Sequence, residues 1–130
     1  MSISNFLEAK ILDHVLRSPT GAYTAPTTIY LALHTADPTD AGGNATEVTN
    51  AGGSTYSRQT ITFNAASGGT IAASAAVEFA NMPSTTVTHV SLWDSSSGST
   101  NLLWSGALAT SRTVVLGDSL RVTSLSITLD

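Results

Sequence analysis

The sequence predicts a mainly β protein: an antiparallel β-sandwich of about seven or eight strands with one N-terminal α-helix. Three observations predict it. From Tyr23 to Asp130, apolar and polar residues alternate in short runs. Gly, Ser, Asn and Pro punctuate those runs. Charged residues are only 11% of the 130-residue chain, while hydrophobic residues are 42%. Alternation places every second side chain on one face of a strand, the pattern of a half-buried sheet. A single domain is expected over residues 1–130, with the helix at 3–17, the sandwich at 23–130 and one long loop at 36–54.

The helix, ISNFLEAKILDHVLR, carries Ile3, Leu7, Ile11 and Val15 at helical spacing. Asn5 followed by Glu8 has the spacing of a capping box, and Ser18-Pro19-Thr20-Gly21 is the expected stop. Phe6, Leu12 and Leu16 widen the apolar arc, and Lys10, Asp13 and Arg17 form a narrow charged stripe. The plainer reading packs this helix deeply on its own sheet; the other shares it with a partner.

Thr28–His34 alternates cleanly, with Leu31 and Leu33 on one face and Tyr30, Ala32 and His34 on the other. The loop at 36–54 is rich in Gly, Asn, Asp and Thr, and loops of such length are usually functional or mobile. Tyr56–Phe63 reads as a strand, and Gly69–Ala80 as two short strands with a turn near Ala73–Ala75. Val87–Asp94 and Asn101–Ala109 form a hairpin around Ser95–Ser99. Arg112–Leu116 and Leu120–Leu129 follow, joined by Gly117-Asp118. Within the last strand the apolar parity flips near Thr123, the mark of a bulge or bend. The expected core is Leu31, Leu33, Ile61, Phe63, Val90, Leu92, Leu102, Leu125 and Ile127. Trp93 and Trp104 are expected to face each other across the hairpin turn, joining Tyr23, Tyr30 and Tyr56 in an aromatic core rather than an exposed sugar platform.

Composition bounds the function. The 38 serines and threonines replace charges as the wetting groups, and the net charge is −4. One lysine and four arginines, Arg17, Arg58, Arg112 and Arg121, do not cluster in sequence, which argues against a nucleic-acid partner. No run of about 20 apolar residues exists to span a membrane. The absence of cysteine excludes disulfides, thiolate zinc sites and cysteine nucleophiles. No secretory leader is expected at the N-terminus. His14, His34 and His89 show no ligand or catalytic spacing, and the chain has no nucleophile–base motif, so no enzyme, cofactor or metal is expected. Asp37, Asp40, Asn44 and Glu47 could offer oxygen ligands from a Gly-rich loop, but their spacing misses the Ca²⁺-loop pattern and suits ordinary Asx turns. Asn44-Ala45-Thr46 matches a glycosylation sequon by chance.

Several segments resemble a family of small tailed-phage virion proteins: SNFLEAKILDHVLR (4–17), YTAPTTIYLALHTADPTDAG (23–42), AASGGTIAASAAVEFANMP (65–83), VTHVSLWD (87–94), NLLWSGAL (101–108) and LSITLD (125–130). The helix followed by LALHTADPTDAG is the most diagnostic part, and the likeness runs nearly end to end. It implies a β-rich, non-catalytic structural protein of the virion, of the kind labelled tail fibre or minor virion protein. Such a protein would be assembled in the bacterial cytoplasm and released by lysis. On size, a capsid decoration or cement role is favoured over a tail or fibre adaptor, with a carbohydrate- or receptor-binding module as the further alternative. Expected partners are the major capsid protein or tail proteins, and further copies of the chain, as a trimer or a dimer. The expected contact residues are Phe6, Leu12 and Leu16 on the helix, with Phe6 as anchor, and Asp37, Asp40 and Asn44 in the loop.

Overall fold

The computed structural model describes residues 2–17 and 20–129. In chain order the elements are β1 (Ser2–Ile3), α1 (Asn5–Leu16), β2 (Ile29–His34), β3 (Gln59–Ile61), β4 (Thr70–Ala72), β5 (Val77–Phe79), β6 (Thr85–Trp93), β7 (Leu102–Val114), β8 (Leu120–Val122) and β9 (Ser126–Thr128). The fold is mainly β and antiparallel, as the sequence predicts. A five-stranded sheet runs β1-β7-β6-β2-β3, and two ribbons, β4-β9 and β5-β8, lie against it in a sandwich-like arrangement.

The core fills the space between sheet and ribbons. Leu31, Leu33, Val90, Leu92 and Trp104 enter it from the sheet, and Val77, Phe79 and Leu120 from the ribbons. Of the expected core, Leu31, Leu33, Ile61, Val90, Leu92 and Leu102 are buried, whereas Phe63, Leu125 and Ile127 are only partly covered. The last three sit in or beside the short, narrow β4-β9 ribbon, which leaves one flank of each side chain open.

Several boundaries differ from expectation for local reasons. Ser2–Ile3 is a strand, paired Ser2↔Ser105 and Ile3↔Trp104, so the helix begins after it. Ser4, not Asn5, is the N-cap: its hydroxyl accepts from the Leu7 amide at 3.2 Å and itself donates to the Leu102 carbonyl. The Asn5/Glu8 capping box does not form. One buried serine thus starts the helix and ties it to β7. The expected stop at Ser18-Pro19 lies outside the described residues.

The segments expected as 101–109 and 112–116 are one strand, β7. Its pairing with β6 jumps from Val87↔Arg112 to His89↔Ala107, so Leu108–Ser111 stand out of the ladder opposite Thr88. The parity flip near Thr123 is a complete break: β8 pairs with β5, and β9 with β4. Trp93 and Trp104 do not face each other. Leu92 pairs with Trp104 while Trp93 pairs with Leu102, which puts the two indoles on opposite faces of the sheet.

The region 36–54 is not a free loop. His34 bridges Glu47, the Val48 amide donates to the Leu33 carbonyl at 2.9 Å, and the Thr35 amide donates to the Thr46 carbonyl at 2.9 Å. Along one edge of β2, β3 covers residues 29–31 and the 46–48 segment covers the rest. The returning segment also shields the far face of the sheet, where Ala32, Trp93 and Leu102 form a second, smaller buried cluster.

Candidate functional site

Two places concentrate the residues singled out by the sequence: the strap at 43–58 over the far face of the sheet, and helix α1. The strap holds the buried charge. Arg58 donates from Nη2 and Nε to the two carboxylate oxygens of Glu47 at 2.7 and 2.9 Å, a bidentate pair. The same guanidinium donates to the carbonyls of Ser95 and Gly98 at 3.1 and 2.6 Å, and lies 4.3 Å from the Trp93 ring centroid. Tyr56 donates to Glu47 at 3.0 Å and accepts from the Leu33 amide at 3.0 Å. Burial and the neighbouring Glu47 charge hold its phenol protonated far above the usual range.

His34 continues the network. It is fully buried, with Nε2 at 2.6 Å from the Ser91 hydroxyl and Nδ1 at 3.0 Å from the Thr46 hydroxyl. Ser91 also accepts from the Trp93 indole at 2.6 Å. Burial disfavours the imidazolium and lowers the His34 pKa from 6.5 to about 4, against the partial opposition of Glu47. Every partner in this network is a group of the chain itself. Its chemistry fastens the strap and the 95–98 turn to the sheet, and it encloses Trp93 too fully for a sugar-stacking role.

The three loop candidates are also tied internally. Asp37 accepts from the Thr39 amide at 2.8 Å in an Asx turn. Asp40 accepts from the Ser2 hydroxyl, and its carbonyl accepts from the Asn5 amide at 3.1 Å. Asn44 accepts from the Ser99 hydroxyl at 3.1 Å. Asp37 and Asp40 line an open cavity of about 370 Å³ with His89 and Ser105. Among the described residues no group of three or more His, Cys, Asp or Glu side chains is arranged to hold a metal ion.

Helix α1 contrasts with the strap. The chain after the helix doubles back along its charged side. The Tyr23 ring meets Phe6 edge-on at 6.1 Å, the Tyr23 amide donates to His14 at 3.0 Å, and the Gly21 amide donates to the Arg17 carbonyl at 3.0 Å. A Cβ at Gly21 would fall 2.3 Å from the Asp13 carbonyl oxygen, so only glycine allows this close return. Phe6, expected as a partner anchor, is half-buried against the core and Tyr23. The other side of the helix stays open: Ile11, Leu12, Val15 and Leu16 are 37, 58, 65 and 75% exposed. Ile11 and Leu12 line a shallow apolar groove of about 290 Å³ with Ile3, Glu8 and Leu129. No residue of α1 is fully buried, so deep packing on the chain's own sheet does not occur. The sequence pointed to the arc but not to which half is covered, because the covering segment, 20–28, has no pattern of its own.

A small antiparallel β-sandwich whose polar interior is spent on its own loops, and whose helix presents apolar side chains outward, has the build of a structural subunit. A family model described as podophage GP4 fiber I protein gp80 matches residues 2–130, and the chain belongs to that family. It is therefore a phage virion structural protein. Comparison with curated proteins finds no match.

Proposed function

We propose that the chain is a non-enzymatic subunit of the phage fibre, joined to a neighbouring fibre protein through the open face of α1. The family description supports the fibre over the capsid decoration role that size alone suggested. The observation that carries the docking reading is the continuous apolar face of Ile11, Leu12, Val15 and Leu16 beside Leu129. Soluble proteins seldom leave so many large aliphatic side chains together in water, and interaction sites are where they do. Large apolar anchors at the centre of a contact commonly carry most of its binding energy.

The test is electron cryomicroscopy of intact particles carrying an affinity-tagged copy of the chain, labelled with gold. Label on the tail fibres, with density fitting this sandwich and its helix against another protein, is the expected result. Label distributed over the capsid shell overturns the fibre assignment in favour of decoration.

A further inference from the structure

The chain has five cationic side chains, and three of them are engaged. Lys10 lies 5.7 Å from the Phe6 ring centroid, Arg17 pairs with Asp13 at 3.3 Å, and Arg58 pairs with Glu47 at 2.7 Å. Arg112 and Arg121 make no ion pair or side-chain hydrogen bond among the described residues. These two are 9 positions apart in sequence and on strands of different sheets, yet they line the same cleft, of about 200 Å³.

The fold explains the convergence. The excursion of Leu108–Ser111 interrupts the β6–β7 ladder just before Arg112. Strand β8 pairs with β5 and not with β7, so a seam stays open between the two. Leu108, Leu120 and Val122 supply the apolar part of the lining, with Leu120 itself buried in the core, and Thr110, Thr123 and Ser124 are its hydroxyl-bearing residues. Glu78 is opposite Arg121 in the β5–β8 register, but it does not line the cleft and forms no ion pair with Arg121.

We propose that this cleft binds an anionic sugar, a single carboxylate- or phosphate-bearing monosaccharide unit of a glycan. Guanidinium groups match the planar geometry of carboxylate and phosphate oxygens, and here their donors are uncommitted. Threonine and serine hydroxyls suit the ring hydroxyls, while the apolar part of the lining suits the C–H groups of a pyranose. The volume lies below the ~300–1,000 Å³ of pockets that enclose drug-sized ligands, which fits one sugar unit rather than a larger molecule. A nucleic acid is disfavoured: two arginines on a chain of net charge −4 cannot track a run of phosphates. The cleft shares no lining residue with α1 or its groove, and it stands or falls independently of the docking reading.

The test titrates the full chain with trigalacturonate, mannose 6-phosphate, neutral maltotriose and a short single-stranded DNA oligonucleotide, followed by NMR shift changes of backbone amides. At least one of the two acidic sugars should shift the amides of 108–112 and 120–124, more weakly at high salt. The carboxylate and phosphate probes tell the two sources of negative charge apart. The R112Q/R121Q variant should weaken binding tenfold or more, and R17Q should leave it unchanged. If the double variant does not fold, R121E alone is judged by the same tenfold criterion. Equal binding of maltotriose, tighter binding of the oligonucleotide, unchanged affinity in the arginine variant, or no binding of either acidic sugar overturns the proposal.

Discussion

The strap over the far face of the sheet and the outer half of α1 are inversions of each other. In and under the strap, a buried guanidinium, phenol and imidazole and a nearly buried carboxylate each have hydrogen-bond partners inside the chain. On α1, Leu12, Val15 and Leu16 are more than half exposed and Ile11 is about a third exposed, with no buried residue on the helix among the described residues. Both arrangements are costly in isolation. A buried charge is tolerable only when paired, and an exposed apolar cluster gains only when something is laid on it. The strap resolves its cost internally, so its residues act within the fold. The helix does not, which is the ground for proposing that its residues act between molecules. Residue type alone would assign the roles the other way round, with charges as contacts and leucines as core.

The largest effect expected from breaking the strap is the loss of Arg58. Its side chain is 1% exposed and that of Glu47 is 13%, so R58A would leave a nearly buried carboxylate without its partner. Removing one member of such a pair costs about 3–5 kcal/mol. Urea unfolding should show a loss of that size, and E47A/R58A should lose less than the sum of its parts. A loss below about 1 kcal/mol for R58A would show that water reaches Glu47 and that the strap is loosely held.

The strap was only partly legible in sequence. Period-two alternation located β2, β6 and the first half of β7, because alternate residues such as Leu31, Leu33, Val90 and Leu92 enter the main core, although the opposite face is buried there as well. Glu47 and Arg58 are 11 positions apart and flank a Gly-rich stretch. Nothing local links them; only the return of the chain along the edge of β2 does so. The same holds for Trp93 and Trp104, whose separation onto two faces depends on the skipped residue Leu103 in the β6–β7 pairing. For α1 the periodicity gave the element and its wide arc. The covered side was set by Ser4, Gly21 and Tyr23, residues that no helical pattern singles out.

A smaller effect is expected from acid. Native His34 has a pKa of about 4, below the 6.5 of the unfolded chain. Above pH 6.5 neither state is protonated, and the stability tied to this neutral imidazole is fully present. As pH falls from 6.5 towards 4, the unfolded chain takes up a proton that the native state refuses. Stability then drops by up to about 1.4 kcal/mol per pH unit, about 3 kcal/mol across the window, and the dependence ends below pH 4. Around His34, Glu47 and Asp37 favour its protonation, and Arg58 and His89 oppose it. Chemical denaturation of the wild type and of H34Q at a series of pH values isolates this contribution, since their difference cancels the other titrating groups. H34Q is less stable at neutral pH but lacks the added slope. Parallel curves for the two proteins would mean that His34 titrates normally and that the pocket around it is open.

The smallest effect on stability, and the sharpest on assembly, is expected at α1. Leu12 and Leu16 are 58 and 75% exposed, so replacing both with serine removes little that the folded monomer uses. Surface changes of this kind are usually within about 0.5 kcal/mol each. Phe6 supplies the internal control, because its ring is half-buried against the core and Tyr23. F6S should cost about 1–2 kcal/mol from the lost apolar burial. Urea midpoints of the purified proteins and the copy number of each variant in purified particles, measured by quantitative mass spectrometry, give the two readouts. L12S/L16S should match the wild type in the first and fall severalfold in the second, while F6S should show its main defect in the first. If L12S/L16S is destabilised as much as F6S, the outer face belongs to the monomer's own packing. If it is as stable as wild type and enters particles at full copy number, the face is not the docking surface, and the contact must be sought around Asp37, Asp40 and Asn44. A stable protein that fails to join the particle is the one outcome that only an intermolecular role for these leucines produces.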